Sequence, residues 1–208
     1  MRITTIPALA TVGLIFLAGC TPAQTPADPS HLPDSAPIAT QTPTPASTPD
    51  TAADEFGEPV RTDRGNLVKE VGQLAGITLP DHDDAVAAQF IVTDIVVDQE
   101  CSAEYAETPA NGHFIGIHLN IETTPDLALD DVGTLSFAHW GWQGFDADGK
   151  RVNDPIGNAL WCMSDADTLP TDIGPGQSVS GWLVLDMPTT TGSVALTMGA
   201  ANGWEWSY

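Results

Sequence analysis

The chain has 208 residues and is strongly acidic, with 28 Asp and Glu against 6 Lys and Arg and a formal net charge of −22. A surface of that sign repels phosphate backbones and anionic lipid headgroups, so nucleic acid and acidic membrane surfaces are excluded as partners. Cations and basic surfaces stay open as ligands, and the simplest reason for the charge is a well-solvated surface.

Residues 1–19 predict an export signal. Arg2 is followed by an apolar run that is too short for a lasting membrane span and that ends in small residues. The run closes on LAGC at residues 17–20, which resembles the bacterial lipobox, where a signal peptidase cuts before a lipidated cysteine. We therefore predict lipidation of Cys20 and an anchor on the outer face of the cell membrane. The alternative is an ordinary signal peptide whose cleavage leaves a cysteine.

Residues 20–57 have the composition of a tether. They are rich in Pro, Thr, Ala and Ser and carry almost no apolar period, so they cannot bury a core and are expected to be disordered. Extended as polyproline II, such a segment reaches on the order of 110 Å. The tether would hold the following domain well away from the membrane.

Residues 58–208 are predicted to form one β-domain. Apolar residues recur with a period of two rather than 3.6, and no window of twelve residues carries a good helical stripe. In HFIGIHLNIE, one face of the strand carries only Ile115, Ile117, Leu119 and Ile121. QFIVTDIVVD is β-branched nearly throughout, which is typical of a strand buried on both faces. The remaining predicted strands are NLVKEV, LAGITL, TLSFAHWGW, SVSGWLVLD, SVALTM and GWEWSY.

Turn chemistry separates these strands. DADGK at residues 146–150 predicts a hairpin turn, and GPGQ at 174–177 predicts a tight turn before a strand. Many short strands with such turns favour an all-β, antiparallel two-sheet sandwich, with a small closed barrel as the alternative.

The cysteine count bears on how the domain is held together. With Cys20 assigned to the anchor, Cys101 and Cys162 remain as an even pair, and export makes one disulfide between them the favoured prediction. A disulfide between them would close a loop of about 60 residues, which stabilises a fold by roughly 4 kcal/mol in the chain-entropy model. Two buried free thiols are the alternative, while metal ligation is disfavoured because neither cysteine has a second ligand at suitable spacing.

The run of FIVTDIVVDQEC, GHFIGIHLNIET, FDADGK, LWCMSD and IGPGQSVSGWLVLDMP, with GWEWSY at the end, resembles a group of actinobacterial surface lipoproteins. Their telokin-like, immunoglobulin-like domain is related in fold to a secreted mycobacterial immunoprotective antigen. The resemblance implies an immunoglobulin-like sandwich on a lipid anchor and brings no catalytic or binding residues. The order Cys101, Trp140 or Trp142, Cys162 is that of true immunoglobulin domains. Because Cys101 follows its strand, we expect the disulfide to lie near the rim of the sandwich.

The usual catalytic motifs do not occur in the sequence. It contains no nucleophile elbow, no HExxH and no glycine-rich phosphate loop, and its histidines are scattered. We therefore predict that the protein is not an enzyme and needs no cofactor.

A weak calcium site is one candidate for ligand binding. Asp146 and Asp148 of DADG, with Asp154 beyond them, supply the oxygen ligands that a hard cation prefers. The set lacks the third ligand and the distal glutamate of an EF-hand, so the hairpin-turn interpretation of DADGK is favoured over a metal site.

Exposed tryptophans are the second candidate for ligand binding. Trp140, Trp142 and Trp182 could form a platform on which sugar rings stack, whereas Trp204, Trp206 and Tyr208 share a face expected to pack in the core. The sequence thus predicts a lipid-anchored, non-enzymatic binding or structural module whose ligand, a surface protein or a glycan, it does not identify. The alternative is a carbohydrate-binding module that acts on glycans.

The anchor can be tested directly. Cys20→Ser removes the thiol that would carry the lipid, so we expect the variant to remain unprocessed or to leave the membrane fraction. Detergent phase partitioning of cell extracts measures this. Partitioning that is identical for the wild type and the variant would eliminate the anchor.

Overall fold

The computed structural model describes residues 56–198 and 203–208. Within them the chain forms eight strands and four short 3-10 helices. The strands are β1 (Leu67–Val68), β2 (Leu74–Leu79), β3 (Ala85–Val97), β4 (His113–Thr123), β5 (Trp142–Phe145), β6 (Ser178–Met187), β7 (Ser193–Leu196) and β8 (Trp204–Ser207). The 3-10 helices span Pro80–His82, Pro125–Leu129, His139–Gly141 and Ala159–Trp161.

The strands form two four-stranded sheets. The first sheet has the order β1-β8-β7-β5 and the second has the order β2-β3-β4-β6. Every pairing is antiparallel except that of β1 with β8, which is parallel. This confirms the predicted all-β fold, an immunoglobulin-like sandwich of two sheets. The alternative, a small closed barrel, does not form from the described strands. The predicted signal peptide and nearly all of the predicted tether lie outside the described residues.

The alternation of β4 and β6 builds the core between the sheets. The four predicted inward residues of β4 are all fully buried, and Leu183 and Leu185 of β6 lie beside them. Each such side chain stabilises the fold by ~1.5–3 kcal/mol when it leaves water.

Aromatic rings join the two sheets through this core. Phe90 of the second sheet makes an edge contact with Trp204 of the first, with 5.0 Å between ring centroids. Trp206 and Trp142 lie 5.8 Å apart in the same cluster. The prediction that the aromatic face of β8, including Tyr208, packs against the core is therefore confirmed.

Two of the predicted strands differ from the structure. Of TLSFAHWGW, only Trp142 enters a regular strand; Leu135 makes an isolated bridge to Ile173, and a 3-10 helix follows at His139–Gly141. The strand β3 is central in position, but Thr93 and Asp94 on it are exposed, so burial on both faces was wrong. In β3 the β-branched residues indicate a strand without specifying how each of its faces is covered.

The first sheet carries a buried carboxylate on β8. Glu205 is 4% exposed and is paired with Arg64, while Asn66 and Ser193 donate hydrogen bonds to it over 3.1 and 2.6 Å. Burial alone would raise the pKa of Glu205, but the hydrogen bonds from these three side chains and the charge of Arg64 lower it to about 2. Arg64 also stacks 4.0 Å above the ring of Phe145.

The low pKa makes the stability of the domain depend on pH. Because the pKa of Glu205 in the folded state lies below its ordinary value, its contribution is complete above pH ~4.5 and is lost as the pH falls toward 2. We expect Glu205→Gln to cost about 3 kcal/mol at neutral pH and much less near pH 2.5. Urea unfolding across this pH range measures the difference.

The matched control is Glu122→Gln, which changes an exposed carboxylate on β4. It should alter the free energy of unfolding little at any pH. A difference between wild type and Glu205→Gln that stayed constant from pH 7 to 2.5 would contradict the assignment.

Candidate functional site

The disulfide between Cys101 and Cys162 is present, with an S–S distance of 2.06 Å, and this prediction is confirmed. It packs with Phe114 of β4 and Val184 of β6, whose side chains point away from the core between the sheets. The bond therefore lies on the outer face of the second sheet. The prediction that it lies away from the centre of the sandwich holds, but it covers a sheet face rather than the rim.

The disulfide joins two loops on that face. The first loop follows β3 and spans residues 98–112, and the second spans 153–168; together they are called here the disulfide loops. The backbone N–H of Ala103 donates to the carbonyl of Cys162 over 3.1 Å, directly beside the bond. The two loops are thus linked by both a covalent bond and a backbone hydrogen bond.

A second attachment is made by Asp186 of β6. Its carboxylate accepts backbone N–H groups from Ala110 and Asn111 of the first loop, over 2.6 and 2.8 Å, and from Asn158 of the second, over 3.1 Å. Asp186 is fully buried. A carboxylate can be buried in this way because several N–H donors replace its water.

A third set of bonds organises the outer end of the loops. Ser102 and Ser164 both donate their hydroxyl groups to Asp167, over 2.6 and 2.7 Å. These two hydrogen bonds lower the pKa of Asp167. The backbone of Asp167 also accepts the N–H of Trp182, which fixes the loop to the edge strand β6.

Between the disulfide loops lies a groove of about 280 Å³ with two exposed aromatic side chains. Tyr105 from the first loop is 83% exposed, and Trp161 from the second is 70% exposed. The carboxylates of Glu104 and Asp165 also line it. The remaining lining residues of this Tyr105–Trp161 groove are Ala103, Met163 and Ser164.

The predicted tryptophan platform does not form. Trp142 is 3% exposed, lies in the core, and donates its indole N–H to the carbonyl of Phe137, so its assignment as a ligand-binding ring was wrong. Trp182 is half-buried with its ring 4.9 Å from that of His118. Trp140 is 75% exposed on the 3-10 helix His139–Gly141, but it does not line the Tyr105–Trp161 groove.

The predicted calcium ligands cap turns. Asp146 accepts the backbone N–H groups of Asp148 and Lys150 over 3.1 and 2.9 Å, and Gly149 adopts a φ of 74°. Asp154 accepts the N–H groups of Ile156 and Gly157. In the described part of the chain, no three His, Cys, Asp or Glu side chains come together in a way that could hold a metal. The hairpin-turn interpretation of DADGK is therefore the one that the structure adopts.

Sequence reasoning missed the Tyr105–Trp161 groove, although a signal was available. Tyr105 follows Cys101 by four positions, and Trp161 immediately precedes Cys162. Once the two cysteines are paired, their neighbours must lie close together. Aromatic residues next to a disulfide in long loops were the clue.

No protein-family model and no curated protein matches the chain. Among solved structures, similarity is found to the secreted protein MPT63 of Mycobacterium tuberculosis, with 18% identity and a TM-score of 0.43 over 69% of this chain and 98% of that one. A candidate lipoprotein of Bacillus subtilis has 10% identity and a TM-score of 0.38, over 59% of this chain and 36% of that one. An uncharacterized β-sandwich protein of Clostridium difficile has 12% identity and a TM-score of 0.34, over 72% and 99%.

The predicted resemblance included a relation in fold to a secreted mycobacterial protein, and similarity to such a protein is found. Membership of an actinobacterial lipoprotein group stays a prediction. Because all three TM-scores are below 0.5, the fold described above rests on the strands of this chain alone. Across residues 56–198 and 203–208, no helix is long and apolar enough to span a bilayer.

The role of Asp186 can be tested by Asp186→Asn. The amide presents an N–H₂ group to backbone N–H donors, so at least one buried hydrogen bond is lost and the domain should be destabilised by about 2 kcal/mol. Thermal unfolding followed by circular dichroism should show a decrease in Tm of roughly 4–8 °C.

The control for this substitution is Asp148→Asn, which changes an exposed turn carboxylate and should leave Tm unchanged. Limited proteolysis gives a second readout, because looser disulfide loops should be cleaved faster. Equal Tm and equal cleavage for all three proteins would show that Asp186 does not hold the loops.

Proposed function

We propose that this protein is a non-enzymatic extracytoplasmic binding module, held at the outer face of the cell membrane through Cys20, and that its ligand is a saccharide bound in the Tyr105–Trp161 groove. The observation that carries the proposal is the pair of exposed aromatic rings on two loops held by a disulfide.

The proposed location is supported by the sequence and by the disulfide. The apolar segment ending in LAGC has the form of a lipoprotein signal, and a structural disulfide is typical of oxidising compartments outside the cytoplasm. A Pro-rich tether would then place the domain at some distance from the bilayer, within reach of cell-wall or external material.

The proposed binding site is supported by the cost of exposing aromatic rings. Tyr105 and Trp161 each expose a large apolar surface to water, and two such rings beside one groove are typical of a contact surface. The disulfide and the bonds to Asp186 and Asp167 restrict the loops before any ligand arrives. A restricted site loses less conformational entropy on binding than a free loop would.

The saccharide class is supported by the chemistry of the groove. An aromatic face packs against the C–H face of a pyranose ring, and the carboxylates of Glu104 and Asp165 can accept hydrogen bonds from sugar hydroxyl groups. The same two carboxylates repel acidic glycans at close range. Neutral or amino sugars are therefore the expected ligands.

The experiment titrates the mature domain with chitohexaose and cellohexaose by isothermal calorimetry. Trp161→Ala and Tyr105→Ala should each weaken binding at least tenfold, equal to about 1.4 kcal/mol, because each removes one face of the site. Trp140→Ala is the matched control, since it removes an equally exposed ring outside the groove. Mass spectrometry of the incubated sugars checks that they stay intact.

Each alternative outcome has a defined meaning. Cleavage of the oligosaccharide would refute the non-enzymatic assignment. Absence of binding to both sugars would remove saccharides as the ligand class, and a photocrosslinker at position 105 would then identify a protein ligand on intact cells. Equal loss of binding for Trp140→Ala would move the site away from the groove.

A further inference from the structure

A second cavity, of about 290 Å³, shares no residue with the Tyr105–Trp161 groove. It lies beside the edge strands β1 and β2, and Trp204 of β8 closes part of it. Its rim residues Val68 and Val86 are 40% and 39% exposed, so the cavity opens to solvent. The cavity is also lined by Phe56, Glu58, Lys69 and Gly76.

Lys69 is the unusual member of this lining. Its side chain is buried, with the residue only 7% exposed, which is rare for a lysine without a carboxylate partner. Its ammonium donates to the backbone carbonyls of Phe56 and Leu74, both over 2.6 Å. It also lies 5.7 Å from the centre of the Phe56 ring.

The positive charge of Lys69 is not neutralised by any described residue. The ion pairs among these residues are Arg64 with Glu205 and His113 with Asp98. Two hydrogen bonds leave one of the three ammonium protons without an acceptor within the described ranges. Desolvation also lowers the pKa of Lys69, as expected for a buried cation without a counter-ion.

The absence of a side chain at Gly76 leaves space in the cavity. An added Cβ at Gly76 would meet only ordinary contacts, 3.7 Å from the Phe56 ring and 3.8 Å from the carbonyl of Ala88. Its volume lies near the lower end of the range for small-molecule sites, ~300–1,000 Å³. The volume fits a compact ligand of medium length.

We propose that this cavity binds a small organic carboxylate with an apolar body, such as a medium-chain fatty acid, whose carboxylate pairs with Lys69. The apolar body lies against the ring of Trp204 and the side chains of Val68 and Val86. This site is independent of the saccharide site, and neither requires the other.

One other charged group lines the cavity. Glu58 is exposed, and it stands on the segment that precedes β1. Its carboxylate repels an anionic ligand, whereas the remaining acidic surface is screened beyond about 8 Å at physiological salt. We therefore expect that removing the charge of Glu58 strengthens binding of the anion.

The test uses octanoate and its uncharged analogue octanamide on the mature domain, with amide chemical shifts reporting the position of binding. In the wild type, octanoate should shift Gly76, Val86 and Trp204 saturably and bind at least tenfold more tightly than octanamide. Lys69→Met keeps the length of the stem and removes the charge, so this preference should disappear.

Two further variants keep the test decisive if Lys69→Met does not fold. Glu58→Gln should tighten octanoate binding two- to fivefold without affecting octanamide, and Gly76→Leu should weaken both by filling the cavity. Absence of saturable shifts at the cavity in the wild type would overturn the proposal. So would equal affinity for the acid and the amide, or octanoate binding that is unchanged by Gly76→Leu.

Discussion

The two-residue alternation of β4 and β6 is the constraint on which the rest of the molecule depends. One face of this strand pair fills the space between the sheets with Ile and Leu side chains. The opposite face carries Phe114, Val184 and Asp186, which lie beneath the disulfide loops. One pair of strands therefore supports both the core and the candidate ligand site.

The disulfide loops illustrate how a β-sandwich can hold long irregular segments in place. An unattached loop would lose much conformational entropy on ordering, and little apolar area is available there to offset that loss. The covalent bond limits the freedom of the unfolded chain, and the buried carboxylate of Asp186 provides directional bonds in the folded state. The exposed rings of Tyr105 and Trp161 therefore lie on loops whose backbone is restricted.

Local pattern was sufficient to predict most of the sheets, because alternation and turn residues act over a few positions. The inward face of β4 and the turn at DADGK could be predicted this way. The disulfide spans 61 positions and followed instead from the cysteine count and the predicted export. The burial of Asp186 and Glu205 could not be predicted, because each depends on donors that are distant in sequence, such as Ala110 for Asp186 and Asn66 for Glu205. The exposure of Trp161 and the burial of Trp142 likewise depend on which loops cover each face.

The parallel pairing of β1 with β8 has a consequence for how the domain is assembled after synthesis. Gly203 donates to Asn66, 137 positions away, and β8 lies between β1 and β7 in the first sheet. That sheet cannot close until the residues of β8 are available, and contacts of such high sequence separation slow folding. The second sheet, built from strands joined by nearer contacts, can form first and act as the template. In a chain of this topology the first sheet is therefore the later of the two to close.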